Sequence, residues 1–130
     1  MYGCKRKSTK RNYGESGIMG LVKEQVQFAL DIAKLINYAQ EIGFELTFGE
    51  AYRTPYQQKE YLRTGRSKTM KSQHLKRLAV DFNLFIDGNL SWEYRDFAFL
   101  GEYWESLSPK NKWGGHFRNF KDFPHFQRTE

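Results

Sequence analysis

The sequence is poor in cysteine and has no long apolar run. With a single cysteine, Cys4, among 130 residues, no internal disulfide is possible, so the fold does not depend on an oxidising compartment. No apolar stretch approaches the roughly 18 to 20 residues that a membrane span needs, and none resembles the apolar segment of a signal peptide. We therefore expect a protein that is made in a cytoplasm without its own export signal.

Aromatic residues, by contrast, are abundant. They make up 17% of the chain, with 11 Phe, 8 Tyr and 3 Trp. This content favours a compact fold and argues against disorder, and the length favours one domain with a single core. We expect Trp92, Trp104 and Trp113 to belong to that core rather than to a sugar-stacking surface.

Positive charge is concentrated near the start of the sequence. Residues 1–18 carry five basic residues and one acidic residue, so +4 of the total net charge of +6 falls there. The segment shows no apolar periodicity, and we interpret it as a flexible arm ahead of a folded domain at residues 19–130. The arm is compatible both with electrostatic attachment to a polyanion and with a solvated tail that binds nothing.

Apolar periodicity predicts an uneven alternation of helices and strands. A helix is predicted over residues 21–42. Its apolar stripe is formed by Val22, Val26, Ala29, Ala33 and Ile36, and is widened by Leu30, Ile32 and Ala39. Further helices are predicted to begin at the Thr54-Pro55 cap and after Ser91, and strands are predicted at residues 44–52, 79–86, 112–115 and 123–127. The pattern predicts an α+β fold with a small, mostly antiparallel sheet and flanking helices.

Two segments carry residues suited to metal chemistry. His74 is followed by Asp81, which lies opposite the apolar side of its predicted strand, and Asp122 is followed by His125. Two His and one Asp, with a fourth position left to water, form the ligand set of a catalytic zinc site, and a second carboxylate can accept a proton from the water. Each residue alone also has a structural interpretation: Asp81 bonded to backbone amides or an arginine, His125 as a core histidine, and Asp122 as a turn residue.

The order and spacing of these residues resemble the zinc D-alanyl-D-alanine carboxypeptidase family, and within it the L-alanyl-D-glutamate peptidases of phage endolysins. The family motif Ser-x-His-x-x-Gly-x-Ala-x-Asp corresponds to residues 72–81, and the later acid-x-x-His element corresponds to residues 122–125. The Trp-Gly-Gly that often precedes this element is present at residues 113–115. The resemblance covers about residues 20–128.

Other positions extend the resemblance or depart from it. Tyr-Arg-Thr at residues 52–54, followed by Gln57 and Gln58 in a predicted helix, is also typical of the family. Arg77 stands where the motif has Gly, which predicts a local backbone that does not need a glycine conformation. His116, the third histidine and a rival ligand, stands where the endolysins often carry an acid.

The resemblance implies the Hedgehog/DD-peptidase fold and a zinc ion held by His74, Asp81 and His125. It also implies that Asp122 accepts the proton of the attacking water.

Three further roles follow from the same resemblance. Arg53 is expected to stabilise the oxyanion, with a salt bridge to Glu50 or Asp81 as the alternative. Ser72 and Gln57 are expected to contact the substrate, with loop capping as the alternative for Ser72.

The function implied is a zinc-dependent peptidase that cleaves the peptidoglycan stem peptide at the L-Ala–D-Glu bond, as a phage or prophage endolysin. One alternative is a D-Ala-D-Ala carboxypeptidase or dipeptidase with the same site. The others are a non-enzymatic virion or nucleic-acid-binding protein that uses the basic arm, and a protein that keeps the fold and the metal only for binding. We expect a monomer that is made in the host cytoplasm and acts on the cell wall after release, with the stem peptide rather than nucleic acid as its partner.

Overall fold

The computed structural model describes residues 18–130. The predicted basic arm therefore lies almost wholly outside the described residues. Within them there are three α-helices, α1 (Ile18–Glu41), α2 (Pro55–Arg63) and α3 (Tyr94–Leu107). Two short 3-10 turns lie at Gln73–Lys76 and Gly114–His116. None of the described helices is long and apolar enough to cross a membrane.

A small antiparallel sheet organises the described part of the chain. Its strands are β1 (Phe44–Phe48), β2 (Ala79–Ile86), β3 (Asn89–Ser91), β4 (Asn111–Trp113) and β5 (His125–Arg128). The order is β1-β2-β5-β4, and β3 pairs with the later half of β2. The central strand is β2, since β1 pairs along one edge while β5 and β3 share the other. The predicted α+β fold with a mostly antiparallel sheet is confirmed.

The core lies between the apolar face of the sheet and the helices. Val80, Phe82 and Leu84 alternate along β2 and are buried, as is Phe126 in β5. They meet apolar side chains of α1 and α3, including Leu35, Leu100 and Trp104. Asp81 projects from the opposite face of β2, as its place in the alternating pattern predicts. The sheet therefore separates a core face from a face that is free to carry a site.

The predicted buried stripe of α1 was wrong in part, because Ile32 and Ala39 are buried as predicted but most of its other members are exposed. Val22 and Val26 are 39% and 56% exposed, whereas the buried side chains of the helix are Phe28, Asp31, Ile32, Leu35 and Ala39. A carboxylate occupies the inner face because it has buried partners. The Asp31 Oδ2 accepts a hydrogen bond of 3.1 Å from Asn111 and lies 3.9 Å from the Arg128 guanidinium.

Two local predictions have different outcomes. Trp104 and Trp113 are fully buried, but Trp92 is half-exposed on the surface, where its ring stacks on Phe97. Arg77 has φ +56 and ψ +35, a left-handed conformation that glycine favours but that other residues can also adopt, which agrees with the prediction that no glycine-only conformation is needed there. The side chain is accommodated because the guanidinium packs over the Tyr52 ring, 4.1 Å from its centroid.

Candidate metal centre and substrate groove

Three side chains converge on the site face of the sheet. The Asp81 Oδ1 lies 3.3 Å from His74 Nε2 and 3.1 Å from His125 Nδ1. One ligand atom from each of these residues falls within 4.8 Å of the others, and in residues 18–130 no other group of His, Cys, Asp and Glu converges in this way. The structure therefore brings together the three residues that the sequence predicts as metal ligands.

The secondary structure explains why these side chains meet. His74 lies in the 3-10 turn that Ser72 caps, with the Ser72 Oγ accepting from the His74 N–H at 3.3 Å. The left-handed Arg77 ends that turn and sends the chain into β2. Asp81 in β2 then pairs directly with His125 in β5, which places both side chains on the same face. The capped 3-10 turn, the left-handed residue that ends it and the register of β2 with β5 thus bring the three side chains together.

The outer nitrogen of each ring is already engaged by the protein. The Nδ1–H of His74 donates to the Ala51 carbonyl at 2.7 Å, and the Nε2–H of His125 donates to the Gln127 Oε1 at 2.7 Å. These bonds leave the inner nitrogen of each ring facing Asp81, where it donates to the carboxylate when it carries a proton and can bind a metal when it does not. Two ligand atoms about 2.1 Å from a tetrahedral metal ion lie about 3.4 Å apart, close to the separations observed here. The residues therefore fit a tetrahedral metal site.

The electrostatics of the cluster keep Asp81 ionised. Burial alone would raise the pKa of Asp81, but the hydrogen bonds and positive charge of His125 and His74 outweigh it and hold this pKa well below its ordinary value. Burial would lower the pKa of His125. The hydrogen bond to Asp81 and the negative charge of Asp81 outweigh this effect, so the pKa of His125 is raised. A carboxylate that stays ionised is the form that binds a cation.

Asp122 lies beside this cluster in a different environment. Its Oδ2 is 3.9 Å from His125 Nδ1. Burial raises the pKa of Asp122, and the charge of Asp81 raises it further, against the opposing effect of His125. Gly114 holds the Asp122 backbone in place. The Asp122 N–H donates to the Gly114 carbonyl at 3.0 Å, and a Cβ on Gly114 would overlap the Asp122 carbonyl oxygen. The two carboxylates thus have opposite pKa shifts at one site.

Arg53 is held at the edge of the cluster by several acceptors. Its Nε pairs with the Glu50 carboxylate, and its Nη1 donates to Gln58 Oε1 at 2.7 Å and to Ser72 Oγ at 3.2 Å. The salt bridge to Glu50 that sequence offered as the alternative is thus present. The Nη2 has no hydrogen-bond partner within residues 18–130, and Arg53 lines the groove described below.

The remaining predicted residues are placed as follows. Ser72 caps the turn before His74 and also lines the groove. Gln57 does not line it; its backbone N–H donates to the capping Thr54 Oγ1 at 3.1 Å. The neighbouring Gln58 is fully buried and bonded to Arg53. His116 is exposed and pairs with Glu105 at 2.8 Å, outside the ligand cluster.

A groove of about 520 Å³ opens over the ligand cluster. Residues of β5, of the loop before His74 and of the segment around Phe117 and Phe120 line it, together with His74, Asp122 and His125. A concave surface that contains a metal-binding set and two carboxylates with opposite pKa shifts is the usual setting of a hydrolytic site. Sequence reasoning assigned no role to two residues near the site: Gln58, which it named only as part of the family pattern, and Gln127, which it did not name. The only available signal for Gln127 was its place two residues after His125, on the same strand face.

Comparisons with known proteins point to the same family as the sequence motifs do. Residues 65–128 match a family profile described as D-alanyl-D-alanine carboxypeptidase. An L-alanyl-D-glutamate peptidase of Listeria phage A118 is 33% identical over 95 residues, which are 72% of this chain and 34% of that protein. The chain thus spans about a third of the length of this curated relative.

Two solved structures of peptidases are also similar to this chain. The L-Ala D-Glu endopeptidase ChiX of Serratia marcescens has a TM-score of 0.65 and 28% identity, over 83% of this chain and 85% of that chain. The vancomycin-resistance D,D-pentapeptidase VanY, solved in complex with Zn(II), has a TM-score of 0.56 and 17% identity, over 81% of this chain and 72% of that chain. At that identity the second likeness concerns the fold alone. The predicted resemblance to the D-alanyl-D-alanine carboxypeptidase family of peptidases is thus confirmed.

Proposed function

We propose that this protein is a zinc-dependent peptidase that hydrolyses the L-Ala–D-Glu bond of the peptidoglycan stem peptide, as a phage or prophage endolysin. The observation that carries the proposal is the His74–Asp81–His125 cluster with Asp122 beside it in one groove. The choice of bond rests on the two relatives that are named as L-alanyl-D-glutamate peptidases.

The proposed roles of the residues follow from their geometry. His74, Asp81 and His125 would hold zinc, which lowers the pKa of a bound water and polarises a carbonyl group. Asp122 accepts the proton of the attacking water and then gives it to the leaving amine. Its raised pKa suits a group that must both take and release a proton, a role worth about 10²- to 10⁴-fold in rate.

Arg53 completes the site by donating from its uncommitted Nη2 to the oxyanion that develops on the scissile carbonyl. Glu50, Gln58 and Ser72 fix its guanidinium in advance, so little reorganisation accompanies the reaction. We propose that Ser72 acts mainly through this contact, and that the catalytic domain comprises residues 19–130. We further propose that the protein works as a monomer on the cell wall, after release from the cytoplasm in which it is made.

A second candidate is a carboxypeptidase that removes a terminal D-alanine, which the description of the family favours. The same hydrolytic site would serve both reactions, so the products must decide. Purified zinc-loaded protein is incubated with peptidoglycan, with and without a chelator, and the new termini are identified by mass spectrometry. We expect chelator-sensitive release of fragments with a new amino-terminal D-Glu. Release of D-Ala alone would establish the carboxypeptidase, and activity that the chelator does not change would overturn the proposal of a zinc enzyme.

A further inference from the structure

We propose that the groove contains a second binding site, which takes the free carboxylate of an acidic residue in the peptide substrate. Its residues lie in the segment 65–72, which we call the basic loop, and the inference rests on the proposed peptidase function. Arg66, Lys68 and Lys71 of this loop line the same groove as the metal-ligand cluster.

The charges of the basic loop are not neutralised by the described part of the protein. No carboxylate in residues 18–130 forms a salt bridge with Arg66, Lys68 or Lys71. Of the two acidic residues that line the groove, Glu130 pairs with Lys76 and Asp122 has the proposed role of proton acceptor. This wall of the groove therefore presents uncompensated positive charge, which attracts an anion.

A buried side chain fixes the basic loop in its present shape. Gln58, which is fully buried in α2, donates from Nε2 to Ser67 Oγ at 2.9 Å and to the Thr69 carbonyl at 2.5 Å. Thr69 Oγ1 in turn accepts from the Lys71 N–H at 2.9 Å. The backbone beneath the lysines is thus ordered before a ligand arrives, which reduces the entropy lost on binding.

The same glutamine connects this loop to the catalytic residues. The Gln58 Oε1 accepts from Arg53 Nη1 at 2.7 Å, so one amide bonds both the oxyanion-binding arginine and the anion-binding loop. Further along the chain, the Gln73 Nε2 donates to the Arg128 carbonyl of β5 at 2.6 Å. The basic loop is therefore tied to both sides of the groove.

The groove has room for an extended peptide that reaches this loop. His125, Gln127 and Thr129 line it along the direction of β5, and a strand advances about 3.3 Å per residue. The stretch from His125 to Thr129 is thus about 13 Å long, which corresponds to about four extended residues of a peptide lying beside it. A peptide cleaved at the metal cluster would place residues near the scissile bond beside the basic loop.

A glutamate next to the scissile bond has the chemistry that this wall favours. A glutamyl residue has two carboxyl groups, and when one continues the peptide chain the other remains as a free anion. Lysine and arginine bind such a carboxylate through charge-assisted hydrogen bonds. Amidation of that group removes the charge with almost no change of shape, which provides a direct test.

The test uses two synthetic stem peptides that differ only in this group, one with the free carboxylate and one with the carboxamide. We expect the wild-type protein to have about a tenfold lower KM for the acid than for the amide, with similar kcat. The double substitution Lys68→Glu and Lys71→Glu should remove this preference. The matched control, Lys59→Glu with Lys112→Glu, makes the same charge change at exposed positions outside the groove and should keep it.

Binding of both peptides to the zinc-loaded Asp122→Asn protein, measured by calorimetry, separates this inference from the proposed function. Equal affinity for acid and amide, or a preference that survives the double substitution, would overturn the carboxylate site. A preference for the acid without any cleavage by the wild-type protein would leave the site standing and overturn the proposed activity. If the double variant is weakened only on intact cell walls, the basic loop contacts a wall polymer and the inference is wrong.

Discussion

The two faces of β2 and β5 are stabilised in different ways, although they belong to the same strands. On the core face, Phe82, Leu84 and Phe126 are buried among other apolar side chains, where the stabilisation is non-directional and depends on packing. On the site face, Asp81 and His125 depend on individual hydrogen bonds of defined direction. The contrast teaches that stability and chemistry can be changed separately in this protein, even at adjacent residues.

The largest effect is expected on the site face, where the two carboxylates should fail in different ways. Asp81→Ala removes a ligand and should abolish stoichiometric zinc binding together with activity. Asp122→Ala should keep the zinc and lower turnover by about 10²- to 10⁴-fold, because only the proton acceptor is lost. Bound zinc is measured by mass spectrometry of the metal and turnover with a stem peptide. Equal zinc loss in both variants would mean that the roles of the two carboxylates are assigned wrongly.

The next largest effect tests the core face with a neighbouring pair on β2. Leu84→Ala should lower the free energy of unfolding by about 2–5 kcal/mol, because it leaves a cavity at a fully buried site. Asn83→Ala, one residue earlier on the other face, loses only an exposed hydrogen bond to Thr47 and should cost less than about 1 kcal/mol. Urea denaturation measures both variants. If both variants lose a comparable free energy of unfolding, the two faces of β2 do not differ in how they contribute to stability.

The smallest of these effects concerns the contact that orients His125. Gln127→Leu removes the acceptor for the outer ring N–H, which should weaken zinc binding by about 10- to 100-fold while the fold is retained. Gln127→Glu keeps an acceptor and should bind zinc about as well as the wild-type protein. Competition with a chromophoric chelator gives the affinities. The hypothesis fails if the leucine variant binds zinc as tightly as the glutamate variant.

The sequence was sufficient to predict features that depend on local contacts or on the two-residue alternation of a strand. The alternation along β2 placed Asp81 opposite the core, and the motif spacing selected the three residues that converge. Prediction from the sequence failed where the burial of a side chain depends on a partner that is distant in the sequence. Asp31 is buried because of Asn111, 80 residues later, and no apolar period in α1 records that.

Two adjacent residues on α2 show a second limit of prediction from the sequence. Gln57 and Gln58 are alike in chemistry, and successive helix positions differ by about 100° around the axis. Only the packing of α2 against the basic loop determines that Gln58 points inward.

The pairing of Asp81 with His125 also has a consequence for how the chain is held together. These residues are 44 positions apart, and the chain has a single cysteine, so a metal ion bound by both would be a cross-link between β2 and β5 that the sequence cannot provide as a disulfide. Because such a cross-link exists only in the folded state, free zinc at 100 times its dissociation constant would add about 2.7 kcal/mol to the free energy of unfolding. The melting temperature should therefore rise with zinc concentration, and His125→Ala should abolish that rise.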